Sequence, residues 1–591
     1  MKQFLKMMFA SALGVFISLG ILMLIGFVMM VGMVSSISSS SQRMPKEDEK
    51  VFALSLKGGV TEVAGENPFG ALLNQKKNPS LKDILEAIEI AKEHKQIEGI
   101  YLDITSLSTG MANIDVIRRA LLDFKESGKF VVAYADNYTQ GGYYLASVAD
   151  KVFLNPQGAL NLLGFSSVPT FYKGILKKAG IEMLIFKVGT FKGAVEPFML
   201  DKLSDENREQ ITSYQQGIWK NVVGNIAAAR HVSADHINSF ADNGLMFANA
   251  EKTIECNLVD ELKYREDAVK YVKGLVGADL NKNLKAVDVT SIKGLKKKTP
   301  PMLKADRIAI VYAEGEITSS DLSTPYNNAN VITEKLVDEL IKLKRDEKVK
   351  AVVLRVNSPG GSAYISEQIW KQVNDLKNEK KIVVSMGSMA ASGGYYISCA
   401  ADKIIAEANT LTGSIGVFGI FPNATELYKM LDLTTDVVKT NHFADFGEVS
   451  RPMREDEKAL MQGYIEDFYD VFLTRCADGR GMSKEAIDDI AQGRVWTGEQ
   501  ALERGLVDEL GDLEHAIKVA AELAELENYQ IKTVSGSTDP LMEFIKKQMG
   551  DVKSSIIKDA LGDDFELLNG VRSIRRMVGI QARLPYDMEI L

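Results

Sequence analysis

The chain carries the same unit twice, which limits it to folds that can be built in duplicate. Laying Lys129-Phe130-Val131-Val132 on Lys381-Ile382-Val383-Val384, a shift of 252 residues, brings Gly141-Gly142-Tyr143-Tyr144 onto Gly393-Gly394-Tyr395-Tyr396 without a gap. Ala149-Asp150-Lys151 falls on Ala401-Asp402-Lys403, Gly164 on Gly416, and Ile100-Tyr101-Leu102 on Val352-Val353-Leu354. With small insertions the match extends outward: residues 50–60 resemble 307–317, and LVDEL occurs at 258–262 and again at 506–510. Within each copy, helical and strand patterns alternate. Asp83 to Lys92 and Ile114 to Lys125 have helical spacing; Val51 to Leu54, Ile100 to Leu102 and Phe130 to Tyr134 read as strands. Such alternation favours α/β architecture, and 591 residues suffice for two full cores. The expectation is a tandem duplication of one α/β domain: residues 50–294, a basic, proline-containing linker at 295–305 (LKKKTPPMLKA), and residues 306–591.

The differences between the copies carry the chemistry. Ser392 falls at a tight turn between the strand Ile382 to Val384 and a short helix from Tyr395, where free N–H groups favour developing negative charge. The plain alternative is an N-cap serine followed by flexible glycines. The first copy has Gln140 at this position, and Ser108-Thr109 in place of Gly360-Gly361. Lys192 shows the reverse: its counterpart in the second copy is Ala444. One half keeps a serine, the other a lysine, and neither has both. Lys192 taken alone is an ordinary solvated lysine; the complementary loss points to a shared site.

A serine hydroxyl becomes a nucleophile when a base removes its proton. Histidine is the common partner, and of His94, His231, His236, His442 and His515, His442 is the candidate that stays open. A lysine serves equally if burial lowers its pKa by several units from about 10.4. Asn357-Ser358-Pro359-Gly360-Gly361-Ser362 follows the strand Val352 to Val356; its glycines allow backbone N–H groups to approach a substrate oxygen, or form a plain turn. Gly361 and Gly393 are the candidate oxyanion donors. Ser414, in Leu411-Thr412-Gly413-Ser414-Ile415-Gly416-Val417, is a candidate to orient the lysine amine, or the residue of a simple hydroxyl-bonded turn.

Ahead of the repeats, residues 1–6 carry Lys2 and Lys6, residues 7–34 are uncharged and long enough to span a bilayer, and residues 35–49 form a Ser-rich spacer. The expectation is an uncleaved transmembrane anchor through residues 7–34, with a cytoplasmic N-terminus and the rest on the outer face. Arg43, Lys46 and Lys50 oppose that orientation, and a cleaved leader is the alternative. A net charge of −9 without basic-aromatic patches argues against nucleic acid. Cys256, Cys399 and Cys476 are too far apart for a disulfide framework or zinc site, and Cys399 reads as a small buried residue. No cofactor or metal is expected. The segment after Asp539 has a helical stretch, Leu541 to Met549, with no assigned role; Trp496 and Gly498 read as packing residues.

Residues 50–591 resemble the signal peptide peptidase A family of the long, two-repeat bacterial type. The motifs are NSPGGS (357–362), MAASGGYY (389–396), LTGSIGVFG (411–419), FKGAVEPF (191–198) and GRVWTGEQALERGLVDELG (493–511). The resemblance implies a Clp-protease/crotonase-like fold in each repeat, Ser392 as nucleophile, and Lys192, from the other repeat, as general base. It also implies a homo-oligomer, often a tetramer, held at the bacterial inner membrane and acting on signal peptides and other apolar peptides. The family motif has a serine after the lysine; here that residue is Gly193. Two other readings stand beside it: a crotonase-type acyl-CoA enzyme and a catalytically inactive membrane scaffold.

Overall fold

The computed structural model describes residues 45–63, 78–296, 305–319, 331–534 and 579–584. The expected anchor, most of the spacer, residues 297–304 of the linker and the helical stretch at 541–549 lie outside the described residues. Among the described residues, no helix is long and apolar enough to cross a membrane.

Each repeat is built on a mainly parallel sheet. In the first, the order is Glu261–Leu262, Lys151–Leu154, Phe130–Ala135, Gly99–Ser108, Val51–Gly59 and Ala286–Val287. In the second, Val495–Thr497, Leu411–Gly413, Lys381–Ala391, Val349–Ser358, Asp306–Glu314 and Tyr529–Val534 follow one another, with Lys403–Ala406 and Glu509–Leu510 alongside. Apolar runs such as Ala351-Val352-Val353-Leu354 are buried on both faces, as covered parallel strands require.

The duplication holds down to single hydrogen bonds. Asp150 accepts from the Val131 N–H at 2.8 Å, and Asp402 from the Ile382 N–H at 2.8 Å. Tyr143 donates to the Leu258 carbonyl, and Tyr395 to the Leu506 carbonyl. Arg230 pairs with Asp260 and Arg480 with Asp508, each arginine closing one of two matched 26-residue helices, Asp205–Arg230 and Glu455–Arg480. Those long helices are a feature the sequence reading did not pick out.

A third sheet joins the repeats. Its order is Val331–Ile332, Glu316–Ile317, Gly360–Ser362, Gly579–Arg583, Val417–Asn423 and Glu182–Val188. The last strand comes from the first repeat and pairs antiparallel with Val417–Asn423, from Val188 opposite Val417 to Glu182 opposite Asn423. The first repeat's core also takes in Ala391, Leu411 and Val495 of the second. Polar contacts lock the arrangement. Glu62 meets Arg355 at 3.0 and 3.1 Å, while the same guanidinium donates to Ser385 Oγ and the Met386 carbonyl. Arg119 meets Glu407 at 2.7 Å, a carboxyl that burial pushes up to about 7.

Candidate active site

The third sheet sets the position of Lys192. Once Glu182–Val188 has docked, Gly189 turns at φ 107°, and a Cβ there would strike the Gln492 carbonyl at 2.6 Å. Phe191 N–H donates to the Gln492 carbonyl at 2.8 Å. Gly493, at φ 79°, lets its backbone approach Lys192 so closely that a Cβ would lie 2.6 Å from the Lys192 nitrogen. Only glycine tolerates both conditions. Lys192 then runs into the second repeat with none of its surface exposed.

Ser392 ends the strand Lys381–Ala391 and precedes the helix Gly393–Tyr396. Its backbone sits at φ 55°, ψ −114°, and its side chain caps nothing, which removes the N-cap reading. Its N–H donates to the Gly413 carbonyl at 2.8 Å, tying the turn to the neighbouring strand. Ser414, also at positive φ, is fixed by its N–H to the Arg494 carbonyl at 2.7 Å.

Three groups from two repeats meet here. Lys192 Nζ lies 2.8 Å from Ser392 Oγ, 3.0 Å from the Ser414 carbonyl and 3.1 Å from Ser414 Oγ, all within one chain. All three residues are fully buried. Burial alone pushes the Lys192 amine well below the ordinary lysine range, with no charged neighbour acting on it. A neutral amine at hydrogen-bond distance from a hydroxyl can take its proton.

The glycines stand beside this group. Gly360, at φ 94°, and Gly393 face each other: a Cβ on Gly360 would lie 2.7 Å from the Gly393 nitrogen. Gly361 pairs with Ile317 on one side and Ala582 on the other. The sequence nominated Gly361 and Gly393; Gly360, whose φ and close approach forbid any side chain, is the further residue that the diglycine itself signalled. Gly193 takes the place of the motif serine, and a Cβ there would meet the Asn207 amide at 2.3 Å. His442 is brought to a different place: it lies on an exposed loop and bonds to Asp456. Trp496 and Gly498 pack as expected, Trp496 donating to the Ile490 carbonyl. Cys399 is buried. Among the described residues no cluster of metal-ligand side chains occurs.

The duplicated α/β domain and this buried serine–lysine pairing define a protein of the serine peptidase class. The chain belongs to peptidase family S49, whose profile matches residues 123–279 and 374–527; that of Clp protease matches residues 317–412. It is 36% identical over 501 residues to Protease 4 of Salmonella typhi, covering 83% of this chain and 80% of that protein. Protease 4 of Haemophilus influenzae is 36% identical over 80% of this chain and 78% of its own length. The chloroplastic serine protease SPPA of Arabidopsis thaliana is 31% identical over 85% of this chain and 74% of its own.

Proposed function

We propose that this chain is a membrane-anchored endopeptidase that degrades signal peptides after their release, with Ser392 as nucleophile and Lys192 as general base. The carrying observation is the 2.8 Å approach of Lys192 Nζ to Ser392 Oγ inside a fully buried site. A neutral lysine amine has two N–H groups and one lone pair. Donating to the Ser414 carbonyl and Ser414 Oγ leaves the lone pair for the Ser392 hydroxyl. As Ser392 Oγ attacks a peptide carbonyl, its proton passes to Lys192, and backbone N–H groups at Gly361 and Gly393 stabilise the oxyanion. Lys192 then protonates the leaving amine, and water cleaves the ester. No step calls for a cofactor or metal.

The domain division read from the sequence frames this mechanism: residues 50–294 supply the lysine and residues 306–591 the serine and the oxyanion donors. The anchor at residues 7–34 and a catalytic region on the outer face of a bacterial inner membrane rest on the uncharged run and on the family resemblance. Such tethering suits an apolar peptide substrate.

Homo-oligomer formation has support in the repeat itself. Glu182–Val188 docks on Val417–Asn423 within the chain. The counterparts of those two segments, 434–440 and 165–171, are irregular and unpaired, with Val438 97% and Val168 87% exposed. Docking 434–440 of one copy on 165–171 of the next would repeat the internal junction and close a ring, the tetramer being the expected form.

The test is hydrolysis of a fluorogenic apolar peptide by wild type, Ser392→Ala and Lys192→Ala, with sedimentation of Val438→Asp alongside. Loss of turnover in both site variants with folding intact is expected. Activity surviving in Lys192→Ala would remove the dyad. An unchanged sedimentation coefficient for Val438→Asp would remove the ring.

A further inference from the structure

The strand Gly579–Arg583 is paired along both of its edges within the third sheet. It is antiparallel to Gly360–Ser362 on one side, with Gly360 opposite Arg583, Gly361 opposite Ala582 and Ser362 opposite Gln581. It is antiparallel to Val417–Asn423 on the other, with Phe418 opposite Gln581 and Ile420 opposite Gly579. Backbone pairing of an extended peptide with a sheet edge is a recurring mode of peptide recognition.

The register is informative. A Cβ on Gly360 would lie 2.1 Å from the Ala582 carbonyl oxygen, and a Cβ on Gly393 would lie 3.1 Å from the same oxygen. That oxygen therefore sits in the angle between the two glycines beside Ser392. Ala582 is wholly buried and Leu584 nearly so. The strand is anchored beyond the carbonyl as well. The Leu584 N–H donates to the Pro359 carbonyl at 2.9 Å, and Arg583 pairs with Glu316 at 2.9 Å. Ser392, the neighbour of Gly393, and Lys192 are both fully buried.

We propose that residues 579–584 are an autoinhibitory strand, occupying the substrate slot with the Ala582 carbonyl in the oxyanion position. This rests on the Ser392–Lys192 reading above. The anchors on both sides explain how such a strand resists cleavage. If Ser392 Oγ attacked the Ala582 carbonyl, the Arg583 amine would leave with the proton relayed by Lys192. The Glu316 pair and the Leu584 bond would hold that amine against the ester, where it re-forms the peptide bond and returns the proton. An activating event is then one that peels this strand away, and an incoming substrate takes its place with a small residue at the Ala582 position.

The experiment uses the full chain in three forms: wild type, Arg583→Glu, which sets two carboxylates against each other, and the exchange Arg583→Glu with Glu316→Arg, which restores the pair. Ala582→Trp, too large for a fully buried position, serves as an independent displacement. Two readouts are taken: the rate at which a fluorophosphonate labels Ser392, and hydrogen exchange of residues 417–423. Labelling at least ten-fold faster in Arg583→Glu and Ala582→Trp, with lost protection at 417–423 and a return toward wild type in the exchanged pair, is the expected result. Equal labelling in all four proteins, or rapid exchange at 417–423 in the wild type, overturns the inhibitory strand while leaving the dyad intact. A peptidase activity that survives Ser392→Ala overturns the dyad and, with it, any inhibition acting through Ser392.

Discussion

Both repeats make the same strand-to-helix turn, and only one makes it under strain. In the first, Thr139 sits at φ −70° and accepts from the Gly142 N–H at 3.2 Å, an ordinary helix cap. Gln140 follows, and its amide oxygen accepts from the N–H groups of Leu163 and Gly164 at 3.2 and 2.8 Å. In the second, Ser392 is held at φ 55° without capping anything. A non-glycine residue there costs about 1–3 kcal/mol. The loop matching Leu163–Gly164 is Ile415–Gly416, and Gly416 lies against Lys192, a Cβ there falling 3.2 Å from its Cδ. Gln140 therefore bonds the loop that Lys192 lies against in the other copy. One turn is built for stability. The other gives up a cap and a relaxed backbone and holds a hydroxyl beside a buried amine whose pKa is lowered.

The comparison is broken most forcefully at the strained turn. Ser392→Ala should lower peptide hydrolysis by about 10⁴-fold or more, as loss of a nucleophile does, measured as kcat on a fluorogenic peptide. Lys192→Met should lose a comparable amount. It should also raise thermal stability, because folding no longer buries an amine whose pKa is lowered. The cost of burying that amine is greatest below its lowered pKa and shrinks as pH rises toward the ordinary lysine value. The stability gain of Lys192→Met should therefore fade as pH rises. Wild-type kcat should climb with pH across the lowered pKa, since only the neutral amine accepts a proton; a pH–rate profile and thermal melts over the same range check both.

Smaller effects sharpen the comparison. Ser414→Ala removes one partner of the amine, and a hydrogen bond worth about 0.5–1.5 kcal/mol corresponds to about a two- to thirteen-fold loss in kcat. Gln140→Ala should leave kcat unchanged within about two-fold. It should cost about 1–3 kcal/mol in chemical denaturation, because two N–H groups lose their acceptor. Gln140→Ser should create no second reactive serine, because the counterpart of Lys192 is the exposed Ala444; labelling stoichiometry decides this.

Much of this was legible in the sequence because duplication makes differences visible. The match of Gly141-Gly142 to Gly393-Gly394 placed Ser392 at a turn, and the complementary loss at Ala444 singled out Lys192. The elements at Asp83 to Lys92 and Ile114 to Lys125 appear as Leu81–Glu93 and Met111–Lys125, their apolar spacing surviving because each buries one face. The helix expected from Tyr395 begins at Gly393 and ends at Tyr396. The composite third sheet was not legible. Pairing of Glu182–Val188 with Val417–Asn423 depends on register between distant segments, and no local pattern encodes it. The Glu62–Arg355 pair escaped for the same reason, since a buried ion pair looks like two surface charges until the backbone brings them together. Gly579–Arg583 is not legible either, because five residues without strong alternation carry little strand signal.

The strand that carries Lys192 into the other repeat also orders events in time. Lys192 and Ser392 are 200 residues apart in the chain, and at about 5–20 residues per second the serine is synthesised about ten seconds or more after the lysine. Under the proposed dyad, until the second repeat has folded and accepted Glu182–Val188, its hydroxyl has no base and the lysine has no buried pocket to lower its pKa. On that proposal a chain whose second repeat has not yet folded carries no working pair, and the completed junction acts as a safety catch that releases only on a finished molecule.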